Sequence, residues 1–288
     1  MEKEECYRFE ERLYNDGVFC KRKRKQTQDQ PVDATYIIHL EGNGRLTKIN
    51  EELIRIHPTD KLWILHNKGY RNCHKEDYID NPATDLIDCY YQVFRHANAH
   101  GYKNILVLED DFFFDETFHE DPDIIDSIAE FMITKKDADF MYLLGCLPIL
   151  QIPIGQHRRT ISLGTHACIY SLACRNRVLL YDQRKIGDWD VWHNLHSKKY
   201  IFHQPICYQL FPQTDNQKGW LSNYLPVVIQ RIILIYIFIP FLQGLKLDQS
   251  ANPGYSFFYS FSEYLFYLIG ILAIYIFYRI FMKLYHRK

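Results

Sequence analysis

The spacing of apolar residues changes several times along this chain, and each change marks an element. Thr35 to Leu40 (TYIIHL) is rich in β-formers and is followed by the turn residues Gly42, Asn43 and Gly44, so it reads as a buried strand. Leu46, Ile49, Leu53 and Ile56 then recur at helical spacing, which predicts a helix over 45–56. Lys61 to His66 (KLWILH) reads as a second strand. Ile87, Tyr91, Phe94 and Ala97 share one face of a helix over 85–100, and after the Gly101 turn Ile105 to Leu108 form a third strand. A helix over 124–135 and a strand over 139–144 continue the alternation, while 164–211 is mixed. Strand–helix alternation of this kind predicts an α/β domain with a parallel sheet, whose ligands bind beyond the carboxyl ends of the strands.

The two ends of the chain differ from this pattern. Residues 1–30 read as a polar, basic leader with one short helix, and 31–223 as the α/β domain. Residues 224–288 form a hydrophobic region. Within it, Leu225–Leu245 holds eight consecutive apolar residues (Ile232 to Ile239), and Tyr264–Met282 carries only Arg279 as a charge. At 1.5 Å per residue each segment could cross about 30 Å of hydrocarbon, the first with Arg231 snorkelling, giving one or two transmembrane helices. Pro240 leaves open an interfacial or domain-packed position for the first. Basic residues crowd the final end (Arg279, Lys283, His286, Arg287, Lys288), whereas the connecting loop carries Lys246. With two spans, the positive-inside rule puts both outer ends, and so the α/β domain, in the cytoplasm.

Composition narrows the function classes. The net charge is −1, so the chain as a whole shows no bias toward nucleic acid, and none is expected as a partner. The basic run Lys21–Lys25 (KRKRK) suits a solvated linker or contact with anionic lipid headgroups. Met1 to Asn15 holds no apolar stretch of signal-peptide length. The eight cysteines show no zinc-like pairing, and several lie in apolar runs. They are expected to be mostly reduced, which suits a cytosolic face.

Candidate chemistry lies at two places. Glu109, Asp110 and Asp111 follow the apolar run Ile105–Leu108, and three carboxylates at a buried strand end are costly unless something pairs with them. A hard divalent cation, Mg²⁺ or Mn²⁺, suits such oxygens and can bridge the phosphates of a nucleotide-sugar. Downstream, Gly187-Asp188-Trp189-Asp190-Val191-Trp192-His193 interleaves carboxylates with tryptophans. One of Asp188 and Asp190 could serve as a general base beside a sugar-stacking ring. The same residues also suit an N-cap with core tryptophans. His166 could donate to a phosphate, and Gly42-x-Gly44 with Arg45 either lines a nucleotide or forms a plain turn.

The order strand, Arg45, helix and then GYKNILVLEDDFFF (Gly101 to Phe114) resembles glycosyltransferase family 25, the lipopolysaccharide and collagen galactosyltransferases. THACIYS (Thr165 to Ser171) resembles that family's THAY-like strand, and GDWDVW with YIFHQPICYQ (Tyr200 to Gln209) resembles its later acidic and proline-containing stretch. The similarity covers about residues 34–215. It implies a GT-A, Rossmann-type nucleotide-sugar domain, a UDP-sugar donor, Mn²⁺ and inversion at the anomeric carbon. By carry-over, Asp111 is the main metal ligand, with Asp110 beside it toward the nucleotide and Arg45 near the nucleotide; Glu109 and His166 complete the candidate cofactor-binding set from the residue reading. Asp188 or Asp190 is the candidate base. The expected activity is transfer of a hexose, galactose or glucose, to a hydroxyl of a glycan, glycolipid or glycoprotein. The absent signal sequence and the hydrophobic tail depart from the family. The rivals are a metal-dependent phosphotransferase or nuclease, and a non-catalytic membrane protein with a degenerate transferase domain.

Overall fold

A computed structural model describes residues 5–20, 30–135, 138–153, 155–210, 226, 229, 232–250 and 253–285. The basic run Lys21–Lys25, Arg231, and the basic residues His286, Arg287 and Lys288 lie outside the described residues. The strands and helices expected in the first half form within a residue or three of their expected ends. They are β2 (Ala34–Leu40), α1 (Leu46–Arg55), β3 (Lys61–Asn67), α2 (Pro82–Ala99), β4 (Asn104–Glu109) and α4 (Pro122–Thr134), with a one-turn α3 (Thr117–Glu120) before the last. Helix α2 starts sharply because Asn81 and Thr84 form a reciprocal capping box and Pro82 occupies the first turn.

The sheet is mixed rather than parallel. Nine described strands run in the order β1-β3-β2-β4-β9-β6-β10-β8-β7. Here β1 is Tyr7–Leu13, β6 Met141–Leu143, β7 Leu147–Ile152, β8 His157–Leu163, β9 Ala167–Ser171 and β10 Lys199–Phe202. The pairs β3/β2, β2/β4 and β6/β10 are parallel, as the alternation of strands and helices requires. Strand β9 enters between β4 and β6 antiparallel to both, and β7/β8 close one edge as a hairpin. Alternate residues of β4 face opposite layers. Leu106 and Leu108 pack with α1 and α4, while Ile105 and Val107 pack with α2, α5 (Leu172–Leu179) and α6 (Trp189–His196). Two further strands, β5 (Phe112–Phe114) and β11 (Cys207–Gln209), pair outside this sheet just beyond β4.

The leader is corrected in two respects. Tyr7–Leu13 is an edge strand, antiparallel to β3, and not a short helix. Its side chains are only part-covered, with Arg8, Glu11 and Leu13 exposed. Pairing Tyr7 opposite Asn67 then brings Cys6 beside the loop after β3, where it forms a disulfide with Cys73. The expectation of reduced cysteines therefore fails for this pair. Of the six free cysteines, Cys89, Cys146, Cys168, Cys174 and Cys207 are buried.

One described helix, Tyr255–Tyr285, is long and apolar enough to cross a membrane. Among the described residues the earlier apolar segment is helical over Leu234–Gly244, and Ile229, Ile232 and Ile233 before it are helical as well. A π-wound turn over Leu234–Phe238 and Pro240 in the following turn break its regularity. Leu225, Val227, Val228, Gln230 and Arg231 of the expected first span lie outside the described residues, so the second span stays an expectation.

Replacing Cys73 by serine frees the β1 end from the loop after β3. Stability is expected to fall by about 2–4 kcal/mol, as for other disulfides closing long loops. Thermal melts of Cys73→Ser and the parent, with and without reductant, measure it; coincident melts in all four samples would show that the pair does not form.

Candidate active site

The site is built at the carboxyl ends of the parallel neighbours β2 and β4. Beyond β2 the chain reverses through Gly42 (φ 83°) and Gly44 (φ 75°), left-handed positions that favour glycine. The turn presents several donors to one carboxylate. The Leu40 amide and Asn43 Nδ2 donate to Asp110 Oδ2 at 3.0 and 2.6 Å, and Arg45 Nη1 donates to Oδ1 at 2.7 Å. His39 Nδ1 lies 3.5 Å from Oδ2. Burial works against ionisation of Asp110, but His39, Arg45 and the Leu40 amide outweigh it and hold the carboxyl below its usual range. Asp110 thereby fastens the β2–α1 turn to the end of β4.

Asp111 is less well compensated. Both its oxygens accept from Gln209 Nε2, at 3.0 and 2.9 Å, and Arg45 Nη1 is 3.5 Å from Oδ2. Burial, then the charge on Asp110, push its carboxyl from 3.8 up to about 7 against the pull of Arg45 and Gln209. Gln209 is the last residue of β11 and is itself gripped from outside the sheet. The Tyr255 hydroxyl accepts from the Gln209 amide at 3.0 Å and donates to the Gln209 carbonyl at 2.7 Å. Glu109, which closes β4, accepts from the Tyr90 hydroxyl at 3.0 Å. Burial first, then the charges of Asp111 and Asp190, drive its carboxyl well above the usual range.

The opposite wall carries two acceptors without donors. Gly164, at φ 84°, donates its amide to Asp190 Oδ2 at 2.7 Å, while Asp190 Oδ1 is buried with no partner. His166 Nε2 donates to the Cys207 carbonyl at 3.3 Å, which leaves the Nδ1 lone pair, also buried and unpartnered. Burial takes His166 down to about 4, so the ring is neutral. A side chain on Gly164 would come within 3.5 Å of that Nδ1. The His166 carbonyl accepts from the Glu109 amide at 2.8 Å, placing this wall directly beside β4. Behind Asp190 lies the buried ammonium of Lys199, which donates to the Ser162 carbonyl at 2.9 Å. Burial lowers its pKa, and Asp190 opposes that more than any other group.

The structure therefore brings together Arg45, Glu109, Asp110, Asp111, His166 and Asp190, while Asp188, near enough to Asp190 to feel its charge, is engaged as a helix cap. Asp188 is the N-cap of α6 and accepts from the Val191 amide at 2.8 Å. Trp189 and Trp192 are core residues, Trp189 stacking on Tyr90 at 4.6 Å, and offer no open face to a sugar. Gln209, Tyr90 and Tyr255 escape the sequence reading, because nothing in their spacing distinguishes them from neighbouring strand and helix residues.

No group of three or more His, Cys, Asp or Glu side chains among the described residues forms a metal cage. That fits a cation of the Mg²⁺ or Mn²⁺ type only where a ligand supplies most of its oxygens. Such ions are commonly held by one or two carboxylates plus substrate phosphates. Asp111, buried and short of positive charge, is the residue that fits that role. The oxygens of Asp110 are taken up by the turn.

No family model and no curated protein matches this chain. Among solved structures it is similar to A197 from STIV at 12% identity and a TM-score of 0.38, over 62% of this chain and 86% of that one. It is also similar to a glycosyltransferase involved in the glycosylation of the major capsid of PBCV-1, at 8% identity and 0.39, over 65% and 98%. A third is mannose-1-phosphate geranyltransferase from Thermus thermophilus, at 11% and 0.33, over 60% and 74%.

Asp111 binds its proton more tightly in the folded chain than in the unfolded one, where its carboxyl sits near 3.8. The metal-free protein should then lose stability as pH rises from about 4 to about 7 and regain none above that. Asp111→Asn removes this slope. Its melting temperature is expected to match the parent near pH 4 and exceed it at pH 8, by about 2–4 °C for each kcal/mol recovered. Thermal melts of both proteins in chelator across that range test this, and parallel pH profiles would refute it.

Proposed function

We propose that this chain is a membrane-anchored glycosyltransferase of GT-A type that moves a hexose, galactose or glucose, from a UDP-sugar to a hydroxyl of a glycan-bearing acceptor, with inversion. The observation that carries the reading is Asp111, a buried carboxylate at the end of a parallel strand, left short of positive charge beside a second carboxylate with an unused oxygen. Arg45 and Asp111 face the diphosphate of the donor. A bound Mn²⁺ or Mg²⁺ would neutralise charge on the departing diphosphate.

In the reaction the acceptor oxygen forms a bond to the anomeric carbon as the bond from that carbon to the phosphate oxygen breaks, and the electron pair leaves with UDP. Asp190 takes the acceptor proton on Oδ1, the oxygen that no protein donor occupies. The Gly164 amide on Oδ2 fixes the carboxylate's direction, with the Lys199 ammonium buried behind it. Asp188, tied to the start of α6, positions that helix and takes no part in the transfer. The long apolar helix holds the domain at a membrane; which face it occupies is a separate matter, toward which the Cys6–Cys73 disulfide points to an oxidising compartment.

The test uses the full-length chain in detergent micelles with UDP-galactose and UDP-glucose, following UDP release with and without Mn²⁺. Release that needs Mn²⁺ and disappears in Asp111→Asn is expected. Asp190→Asn should slow transfer by about 100-fold or more, the usual size of a lost general base. Turnover indifferent to Asp111→Asn would remove the cation site from the mechanism, and no release from any sugar nucleotide would sink the transferase reading.

A further inference from the structure

Two acceptor atoms on the wall formed by Gly164, His166 and Asp190 have no hydrogen-bond donor. A backbone carbonyl can only accept, so the contact of His166 Nε2 with the Cys207 carbonyl at 3.3 Å puts the ring proton on Nε2. A neutral imidazole carries one such proton, and burial keeps this ring neutral. Nδ1 is therefore a bare lone pair, in a residue only 1% exposed. Asp190 presents the second acceptor: Oδ2 takes the Gly164 amide at 2.7 Å, and Oδ1 is buried without a partner. A buried acceptor left unpaired is costly, so each of these atoms calls for a donor that the protein does not itself supply. Gly164 keeps the space beside them open. A Cβ there would meet nothing nearer than His166 Nδ1 at 3.5 Å and the Cys146 Cα at 3.8 Å. Gly164 is itself part-exposed, so solvent reaches this turn.

The chemistry of the two atoms restricts what can fill the space. The oxygens of a nucleotide diphosphate accept and do not donate, so they cannot pair with the Nδ1 lone pair, and Nε2 is already engaged. A zinc-type ion, the usual metal partner of imidazole, takes three or four protein ligands. No third His, Cys, Asp or Glu joins these two among the described residues. A hydroxyl donates and suits the lone pair. Placement then decides whose hydroxyl it is. In the transfer proposed above, on which this inference rests, the hexose lies between the diphosphate at Asp111 and the acceptor oxygen at Asp190. His166 is linked to both ends. Its Nε2 bonds to Cys207 on β11, two residues before the Gln209 that holds Asp111, and its Nδ1 stands against Gly164, whose amide holds Asp190. We infer that His166 Nδ1 accepts a hydrogen bond from a hydroxyl of the transferred hexose. His166 then selects the sugar, while Asp190 beside it serves the acceptor.

The test reads binding, so it needs no acceptor. The full chain in detergent micelles, with Mn²⁺, is titrated by calorimetry with UDP, UDP-galactose, UDP-glucose and the monodeoxy forms of the tighter-binding UDP-hexose. The titrations are repeated with His166→Gln, whose amide nitrogen can keep the bond to the Cys207 carbonyl while the Nδ1 acceptor is lost. In the parent, one monodeoxy form is expected to bind about tenfold more weakly than the complete UDP-hexose, the effect of leaving a buried acceptor unpaired. His166→Gln should weaken the complete UDP-hexose by a similar factor, abolish its advantage over that monodeoxy form, and leave UDP affinity unchanged. Equal binding of every monodeoxy form by the parent would overturn the inference without recourse to the variant. A penalty that persists unaltered in His166→Gln would overturn it too. Both results leave the transferase reading standing, because UDP still binds. Failure of the parent to bind UDP or either UDP-hexose would instead remove that reading, and this inference with it.

Discussion

Four carboxylates, Glu109, Asp110, Asp111 and Asp190, crowd the space beyond the carboxyl end of β4, and much of the local structure is arranged around keeping them there. Each is handled differently. Asp110 is held below the usual carboxylate range by Arg45 and the donors of the β2–α1 turn, whereas burial and its neighbours' charge push Glu109 well above it. Asp190 has one oxygen on a backbone amide and a buried lysine behind it. Asp111 is left in between, with two hydrogen bonds from one amide and a distant share of Arg45. Pushing neighbouring titratable groups apart in this way is how a protein keeps one carboxyl neutral and another anionic a few ångströms away.

The first half of the fold was legible because each element there obeys one rule at a time. TYIIHL is apolar on both faces because β2 is central, and Leu46, Ile49 and Leu53 keep a helical stripe because α1 covers one face of the sheet. The reading failed where pairing is long-range. Strand β1 needs β3 to be recognised, since YRFEERL alone is as polar as a leader, and the Cys6–Cys73 bond follows only once that register is known. The antiparallel entry of β9 between β4 and β6 was equally hidden, because connection lengths do not fix strand order.

The candidate site shows the same division. The acidic triplet and Arg45 sit in one continuous stretch whose strand end could be read directly. Separating Asp188 from Asp190 required the start of α6, which makes the first a cap and turns the second toward Gly164. Gln209 and Tyr255 could not be anticipated. Their importance lies in being brought to Asp111 from 98 residues away and then, one step further, from a helix that composition alone marks as an anchor.

The grip of Tyr255 on Gln209 changes what concentration means for this protein. Were Tyr255–Tyr285 to cross a bilayer, as its length and composition allow, a site tied to the start of that helix would sample a thin shell over a surface and not a volume. For any acceptor that shares the bilayer, the encounter rate is set by molecules per unit area and by lateral diffusion. Diluting the vesicles would leave such a reaction unchanged, while diluting the acceptor within the lipid would slow it. A freely dissolved acceptor would show the reverse dependence.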